Sequence, residues 1–261
     1  MRVASLGSGS RGNATLVDGA QTRLLIDCGF GLRDLKARAE RLNFDLASLD
    51  AVLVTHEHSD HASGVAALAR RYDIPVYLSH GTANSGRLDG CPHMRCFNAD
   101  SSFDIGGLQV DAIAVPHDAR EPVQFRVAGD GHTVGVLTDL GSITAHVRAA
   151  FGACELLVLE FNHDRDMLRT GPYPPTLKRR VGGDWGHLAN EQAVALLKAV
   201  DLSLLQWLVV AHMSDKNNAR ARVEALLGQE LPAVLPRLLW ADQNDGFSWL
   251  DLVSEDVLAA Y

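Results

Sequence analysis

The sequence predicts an α/β fold in which two mixed β-sheets pack together with helices outside. Three observations lead there. Hairpin-forming apolar runs alternate with single helical stretches along the chain. The 261 residues are 47% hydrophobic, enough for one large domain with a full core. Metal-binding residue types recur just after apolar strand runs, at the carboxyl ends where α/β folds usually place their chemistry. Residues 1–261 are expected to form a single domain, since no Pro/Ser linker, low-complexity run or repeat of fixed period divides them.

The elements follow in order. Val3 to Leu6 reads as a strand and leads into the glycine-rich turn Gly7-Ser8-Gly9-Ser10-Arg11-Gly12-Asn13. Ala14 to Val17 and Arg23 to Ile26 read as a hairpin around Asp18-Gly19, ended by Asp27-Cys28-Gly29. Leu32 to Leu42 has helical period. Strands are expected at 51–55, 75–79, 108–115, 123–128 and 133–138, with helices at 62–71 and 143–150. A strand at 155–159, helices at 174–181 and 190–199, a strand at 206–211 and a helix at 218–228 come next. Short strands near 238–240 and 247–249 finish the series.

The glycine-rich turn also fits the dinucleotide fingerprint G-x-G-x-x-G. A strand pair follows it instead of a helix, and Asp27, the acidic residue at the right distance, closes a hairpin. A tight turn facing the active-site cleft is the favoured reading, with Ser8, Ser10 and Asn13 as candidate phosphate contacts.

His56-Glu57-His58-Ser59-Asp60-His61 puts three imidazoles and a carboxylate in one short turn between a strand and a helix. No common structural need asks for this spacing, whereas a binuclear metal centre does. His56 and His58 can reach one ion from the same side of an extended loop; Asp60 and His61 can turn towards a second. Two ions need roughly four protein ligands each, less shared groups and water. Strand ends supply three more candidates: His117 after Ile113-Ala114-Val115-Pro116, Asp139 after Val134 to Thr138, and His212 after Trp207 to Ala211. A lone strand-end histidine is more often a surface or satisfied core residue. Three ligand-bearing strand ends beside H-x-H-x-D-H reverse that balance.

The formal net charge of -8 weighs against a sequence-independent nucleic-acid binder. The weight is small, because cations would offset Asp60 and Asp139, and basic residues cluster at Lys178-Arg179-Arg180 and at Lys216, Arg220 and Arg222. Both clusters also suit solvated helix faces. Cys28, Cys91, Cys96 and Cys154 have no disulfide spacing. Cys91 to Cys96 resembles half a zinc site with no second half, so reduced thiols are expected. The start of the chain is too short and too early in glycine for a signal peptide, and no apolar run could span a bilayer. A soluble cytoplasmic protein without a membrane partner is expected. His80, His93, His132 and His146 belong to no constellation.

The order H-x-H-x-D-H, later His, later Asp, final His resembles the metallo-β-lactamase superfold over essentially the whole chain. That resemblance implies an αββα four-layer sandwich of two mixed sheets, with a binuclear site at one edge. It implies that His56, His58 and His117 hold one ion, that Asp60, His61 and His212 hold the other, and that Asp139 bridges both. Imidazoles and carboxylates without thiolate suit two divalent ions such as Zn²⁺, Mn²⁺ or Fe²⁺. A bridging water would lose a proton near neutral pH, and the resulting hydroxide would attack an electrophilic centre.

Further stretches resemble one branch, the YycJ/WalJ-type family. They are Ser5 to Thr15, Leu25 to Gly29, Leu159-Glu160-Phe161-Asn162-His163-Asp164, Gly186-His187-Leu188-Ala189-Asn190-Glu191 and Ala211 to Asn218. Phe161 and Ala189 stand where that family commonly has serine. The family is nuclease-like, is related to tRNase Z, and is linked to 5'-to-3' exonuclease action on DNA. The resemblance thus implies a binuclear metal-dependent phosphodiesterase acting on nucleic acid, with DNA the expected substrate. Asp60 and His187 are the candidate catalytic residues; His187 could donate a proton to the leaving 3'-oxygen or bind a phosphate oxygen. Asp27, Glu160 and His163 are candidates to support the metal shell. Lys216 and Asn217 follow His212 closely and could meet a nucleic-acid backbone. The chain lacks both a long insertion between Asp139 and His212, as in β-CASP caps, and a Gly/Pro-rich arm like that of tRNase Z, which disfavours tRNA selectivity. Two other readings stay open: a thioester or lactone hydrolase on the same fold, and a non-catalytic regulatory protein stabilised by metal.

Overall fold

A computed structural model describes residues 1–254. The expected domain span of 1–261 includes residues 255–261, which lie outside the described residues. The chain runs β1 (Arg2–Gly7), β2 (Ala14–Gly19), β3 (Thr22–Ile26), α1 (Leu32–Arg41), β4 (Ala51–Val54), α2 (Ser59–Ala62), α3 (Val65–Tyr72), β5 (Val76–Ser79), α4 (His80–Ala83) and β6 (Met94–Phe97). It continues through β7 (Ser101–Ile105), β8 (Leu108–Ala114), β9 (Val123–Gly129), β10 (His132–Leu137), α5 (Ala145–Ala150), β11 (Leu156–Glu160), α6 (Arg165–Thr170) and α7 (Pro175–Val181). The final elements are α8 (Asn190–Ala199), β12 (Trp207–Ala211), α9 (Arg220–Glu230), β13 (Leu238–Trp240) and β14 (Phe247–Asp251).

Two seven-stranded mixed sheets result, ordered β14-β1-β2-β3-β4-β5-β6 and β13-β12-β11-β10-β9-β8-β7. In the first, β3 to β6 are parallel neighbours; in the second, β10 to β13 are. Alternation along the central strands explains the layering. Leu24, Ile26 and Leu53 face Val134, Val136, Val158 and Val209 between the sheets. Leu25, Val52 and Val54 point the other way, onto Leu35 of α1 and Leu68 of α3. Leu157, Leu159, Leu208 and Val210 likewise meet Val147 of α5, Leu197 of α8 and Leu227 of α9. Strands buried on both faces read as continuous apolar runs, which is why they are conspicuous in the sequence. The αββα sandwich expected from the sequence is the observed architecture.

Local differences have identifiable causes. The first hairpin turns at Ala20-Gln21, both at positive φ (48° and 58°), and not at Asp18-Gly19. Asp18 and Gly19 instead pair with Arg23 and Thr22. The Asp18 carboxylate ion-pairs with Arg2 and Arg23, while Asp130 accepts a hydrogen bond from the Ala20 N–H. The helix expected over 62–71 is split at Ser63-Gly64, where the Gly64 N–H donates to the Cys28 carbonyl. Strands β6 and β7 escape the pattern because their outer residues are exposed and mostly polar or mixed. No helix among the described residues is long and apolar enough to cross a membrane.

The carboxyl ends of β3, β4, β8, β10, β11 and β12 point to one edge of the sandwich. Asp27, His56, His117, Asp139, Glu160 and His212 sit at or just beyond those ends.

Candidate metal centre

The strand ends bring His56, His58, Asp60, His61, His117, Asp139 and His212 into one cluster, of which His58 and Asp60 are half-buried and the rest buried. Donor atoms of His56, His58 and His117 lie within 4.8 Å of one another, as do those of Asp60, His61 and His212. Asp139 joins both sets: its carboxylate lies 3.0 Å from His61 Nε2, 3.3 Å from His212 Nδ1 and 3.9 Å from His117 Nε2. Asp60 Oδ2 is 3.5 Å from both His61 Nε2 and His212 Nε2.

Hydrogen bonds behind the cluster fix the ring orientations. His61 Nδ1 donates to Asp27 Oδ2 at 2.7 Å. The Asp27 carboxylate also accepts from the Thr55 N–H and hydroxyl, each at 2.8 Å. Thr55 Oγ1 in turn accepts a hydrogen bond from His56 Nδ1 at 2.9 Å. His117 Nδ1 donates to the Gly186 carbonyl at 2.9 Å, and His212 Nδ1 lies 3.2 Å from Glu160 Oε1. Tying down Nδ1 leaves the Nε2 lone pairs of these four rings for the centre, as in metal sites where a carboxylate or carbonyl orients the imidazole. His58 is turned the other way, with Nδ1 3.3 Å from His117 Nε2.

The donor set fits a divalent cation on a direct observation. His56 Nε2, His212 Nε2 and Asp139 Oδ2 are buried without a hydrogen-bond partner. Such an atom costs roughly 1–3 kcal/mol if left unsatisfied, so three in one cluster of donors call for an ion. Backbone strain is held at the same place. Asp27 and His212 adopt φ of 62° and 50°, a region uncommon for residues with a Cβ.

Without an ion the cluster neutralises itself with protons. Burial alone would raise the Asp139 carboxyl, but His212 and His61 hold it well below the usual carboxylate range. Burial would also lower His212; Asp139, Asp60 and Glu160 outweigh it and raise the imidazole to about 10. His61 is raised against burial by Asp139, Asp27 and Asp60. His56 and His117 are lowered, chiefly by burial, and so offer neutral rings.

A cleft of about 350 Å³ opens above Asp60 and Asp139 and is lined also by Ser10, Arg87, Asp118, Arg180 and His187. His187 Nδ1 is 2.6 Å from Glu160 Oε1, and Glu160 Oε2 accepts from the backbone N–H of Leu188 at 3.0 Å. Burial would lower His187, yet Glu160 and Asp139 raise it. Glu160 thus contacts both His187 and His212, and Asp27 contacts Thr55 and His61 of the front loop.

Four candidate residues lie outside the lining of the cleft. Ser8 Oγ accepts from the His212 N–H at 3.0 Å and donates to Asn13 Oδ1, so it is spent inside the turn. Asn13 is buried; it accepts from the Gly9 N–H and its Nδ2 reaches the Gly9 carbonyl and His61 Nε2. Asn217 is fully buried and bonds Ser214 Oγ, too deep to touch a substrate. His163 is buried with Nδ1 unbonded, burial lowers it to about 4, and its backbone bonds the Leu188 carbonyl and the Asn190 N–H. Ser10 remains exposed to the cleft, whereas Lys216 is exposed outside its lining.

Sequence reasoning missed Thr55, Asp118 and Arg87. Thr55 and Asp118 directly adjoin ligand candidates, which was their only signal; Arg87 comes from a distant loop with none. Asp118 lies 3.6 Å from His117 Nε2 and ion-pairs with Arg180. Burial would raise the Asp118 carboxyl, but Arg180 holds it low.

Residues 22–213 match the Beta-lactamase superfamily domain. The chain is 32% identical over 235 residues to exodeoxyribonuclease YycJ of Bacillus anthracis, covering 88% of this chain and 89% of that protein. It is 31% identical over 227 residues to exodeoxyribonuclease WalJ of Streptococcus pneumoniae serotype 2, covering 84% of each. Among solved structures, Zn(2+)-bound PqqB from Methylobacterium extorquens shares the fold, with a TM-score of 0.70 and 19% identity over 97% of this chain and 100% of that one. The chain belongs to the metallo-β-lactamase superfamily, in its YycJ/WalJ family, and is a metal-dependent hydrolase.

Proposed function

We propose that the protein is a binuclear metal-dependent phosphodiesterase acting on nucleic acid, and specifically a 5'-to-3' DNA exonuclease. The observation that carries this reading is the convergence of seven donor residues, five of them buried, with three orphaned polar atoms, at a cleft that also holds His187, Arg180 and Arg87. His56, His58 and His117 would hold one divalent cation and Asp60, His61 and His212 the second, with Asp139 shared. The thiolate-free donor set suits Zn²⁺, Mn²⁺ or Fe²⁺. Bound cations supply Lewis acidity, bringing the pKa of water near neutrality and offsetting phosphate charge.

The protein's own residues do the rest. Glu160 holds His187 by Nδ1 and favours its protonated form, so Nε2 can donate a proton to the leaving 3'-oxygen. Asp118 fixes Arg180 at the cleft, and a guanidinium presents paired donors to a phosphate. Ser10 and Arg87 add contacts to the backbone of a strand lying in the cleft. The two curated relatives named exodeoxyribonuclease support nucleic acid, and DNA in particular, as the substrate.

A time course on single- and double-stranded DNA and RNA labelled at either end, with Mn²⁺- or Zn²⁺-loaded protein, tests the reading. Early release of the 5' label from DNA as short products is expected. Degradation of neither DNA nor RNA would overturn it, and early loss of the 3' label would overturn the polarity.

A further inference from the structure

Trp185 is the most exposed large hydrophobic side chain among the described residues, at 64% of its full accessibility; the next, Met94, is at 40%. It stands in the loop Gly182-Gly183-Asp184-Trp185-Gly186 that joins α7 to His187. The loop is not loose. The Gly186 N–H donates to the Gly183 carbonyl at 2.9 Å and the His187 N–H to the Val181 carbonyl at 2.8 Å. The Gly186 carbonyl holds His117 Nδ1. Gly141 packs so closely that a Cβ there would lie 2.4 Å from both the Asp184 carbonyl carbon and the Gly186 nitrogen. The backbone on both sides of Trp185 is therefore fixed to the cleft while the side chain stays in solvent.

The chain just before Trp185 is basic, and Gly186 and His187 just after it line the cleft. The last turn of α7 carries Lys178, Arg179 and Arg180, and Arg87 is among the residues that line the cleft. Among the described residues neither Arg179 nor Arg87 joins an ion pair. Trp185 is two residues from His187, within about 7 Å along the chain, which is of the order of one nucleotide step. An exposed aromatic on a rigid backbone, next to a cleft that carries basic side chains, is the arrangement that stacks an unpaired base while the phosphates follow the charge.

We propose that Trp185 is a substrate-binding residue that stacks on an unpaired base next to the scissile phosphate, so that the cleft grips a single-stranded end in preference to a blunt duplex. A base inside a duplex has both faces covered by its neighbours and cannot take this place. The inference rests on the nucleic-acid reading above and adds the form of the substrate's end.

Binding of fluorescein-labelled, phosphorothioate-protected DNA to metal-loaded protein tests it, with a frayed three-nucleotide end compared against a blunt duplex. Trp185→Ala should weaken binding of the frayed DNA on the order of 10-fold and collapse its advantage over the blunt duplex, while Trp185→Phe keeps most of it. Frayed DNA should quench indole fluorescence in the native protein and not in Trp185→Ala, whose melting temperature stays unchanged because the ring buries little. If the native protein cleaves DNA but Trp185→Ala holds the frayed end as tightly as before, this inference alone falls. If the native protein binds no DNA or RNA, it falls together with the nucleic-acid reading.

Discussion

At the scale of single residues, the site depends on which nitrogen of each ring is already committed. Glu160 takes Nδ1 of His187 and approaches Nδ1 of His212, so one carboxylate sets two rings. His187→Ala should lower DNA hydrolysis by roughly 10²–10⁴-fold, the usual worth of a positioned proton donor, while metal content by elemental analysis stays near native. A thioester or lactone hydrolase that did not use this ring would keep nearly full turnover. The protonation pattern gives a second prediction. In the metal-free protein His212 is raised to about 10 and His61 is also raised, so both hold protons at pH 7. Their stabilising ion pairs are complete below the ordinary histidine pKa of about 6.5 and are lost as pH rises through the folded value. A metal must displace those protons. Calorimetry in buffers of different ionisation enthalpy should therefore show proton release on metal binding at pH 7, with apparent affinity rising with pH. Uptake of metal without proton release would contradict the pattern.

At the scale of elements, parallel strands ending at one edge make a site out of residues far apart in sequence, and the loops around them are set by close backbone contacts. Gly29 shows this: a Cβ there would sit 1.8 Å from the Asp60 carbonyl oxygen, against the front ligand loop. Gly29→Ala should cost on the order of 1–3 kcal/mol, as overpacking does, and should lower metal occupancy, measured together by thermal unfolding and elemental analysis. A variant with native stability and metal content would show that the loop is not held there. The same physics explains what was legible in the sequence. Asp139 and His212 were legible because each follows an apolar run buried on both faces, and His117 because it follows the apolar end of β8. The roles of Ser8 and Asn13 were not, because a polar residue in a glycine-rich turn looks the same whether it faces a substrate or satisfies the turn itself. Asn217 was hidden for a like reason: its neighbour Lys216 is exposed, and only the fold shows the amide turned inward to Ser214. Ala20-Gln21 carries no turn signature, and Asp18-Gly19 imitated one while serving a strand.

At the scale of the whole molecule, a protein of net charge -8 still sets a few basic side chains beside the cleft. Arg87, Arg180 and the last turn of α7 border the cleft, and Asp60 and Asp139 beneath it are suited to hold cations. The αββα frame keeps this edge rigid, since the inter-sheet core continues up to Val136, Val158 and Ala211, next to the donors. Ions that bind only the folded state should stabilise it; at a thousand times the dissociation constant the gain is about 4 kcal/mol, roughly 8–16 °C in melting temperature for a chain of this size. The most direct measurement of the central claim is a titration of chelator-stripped protein with Mn²⁺ or Zn²⁺, following hydrolysis of end-labelled DNA and melting temperature in the same samples. The account predicts that both rise together and that hydrolysis saturates at two metal ions per chain. Saturation at one ion, or stabilisation by metal without any DNA hydrolysis, would contradict it.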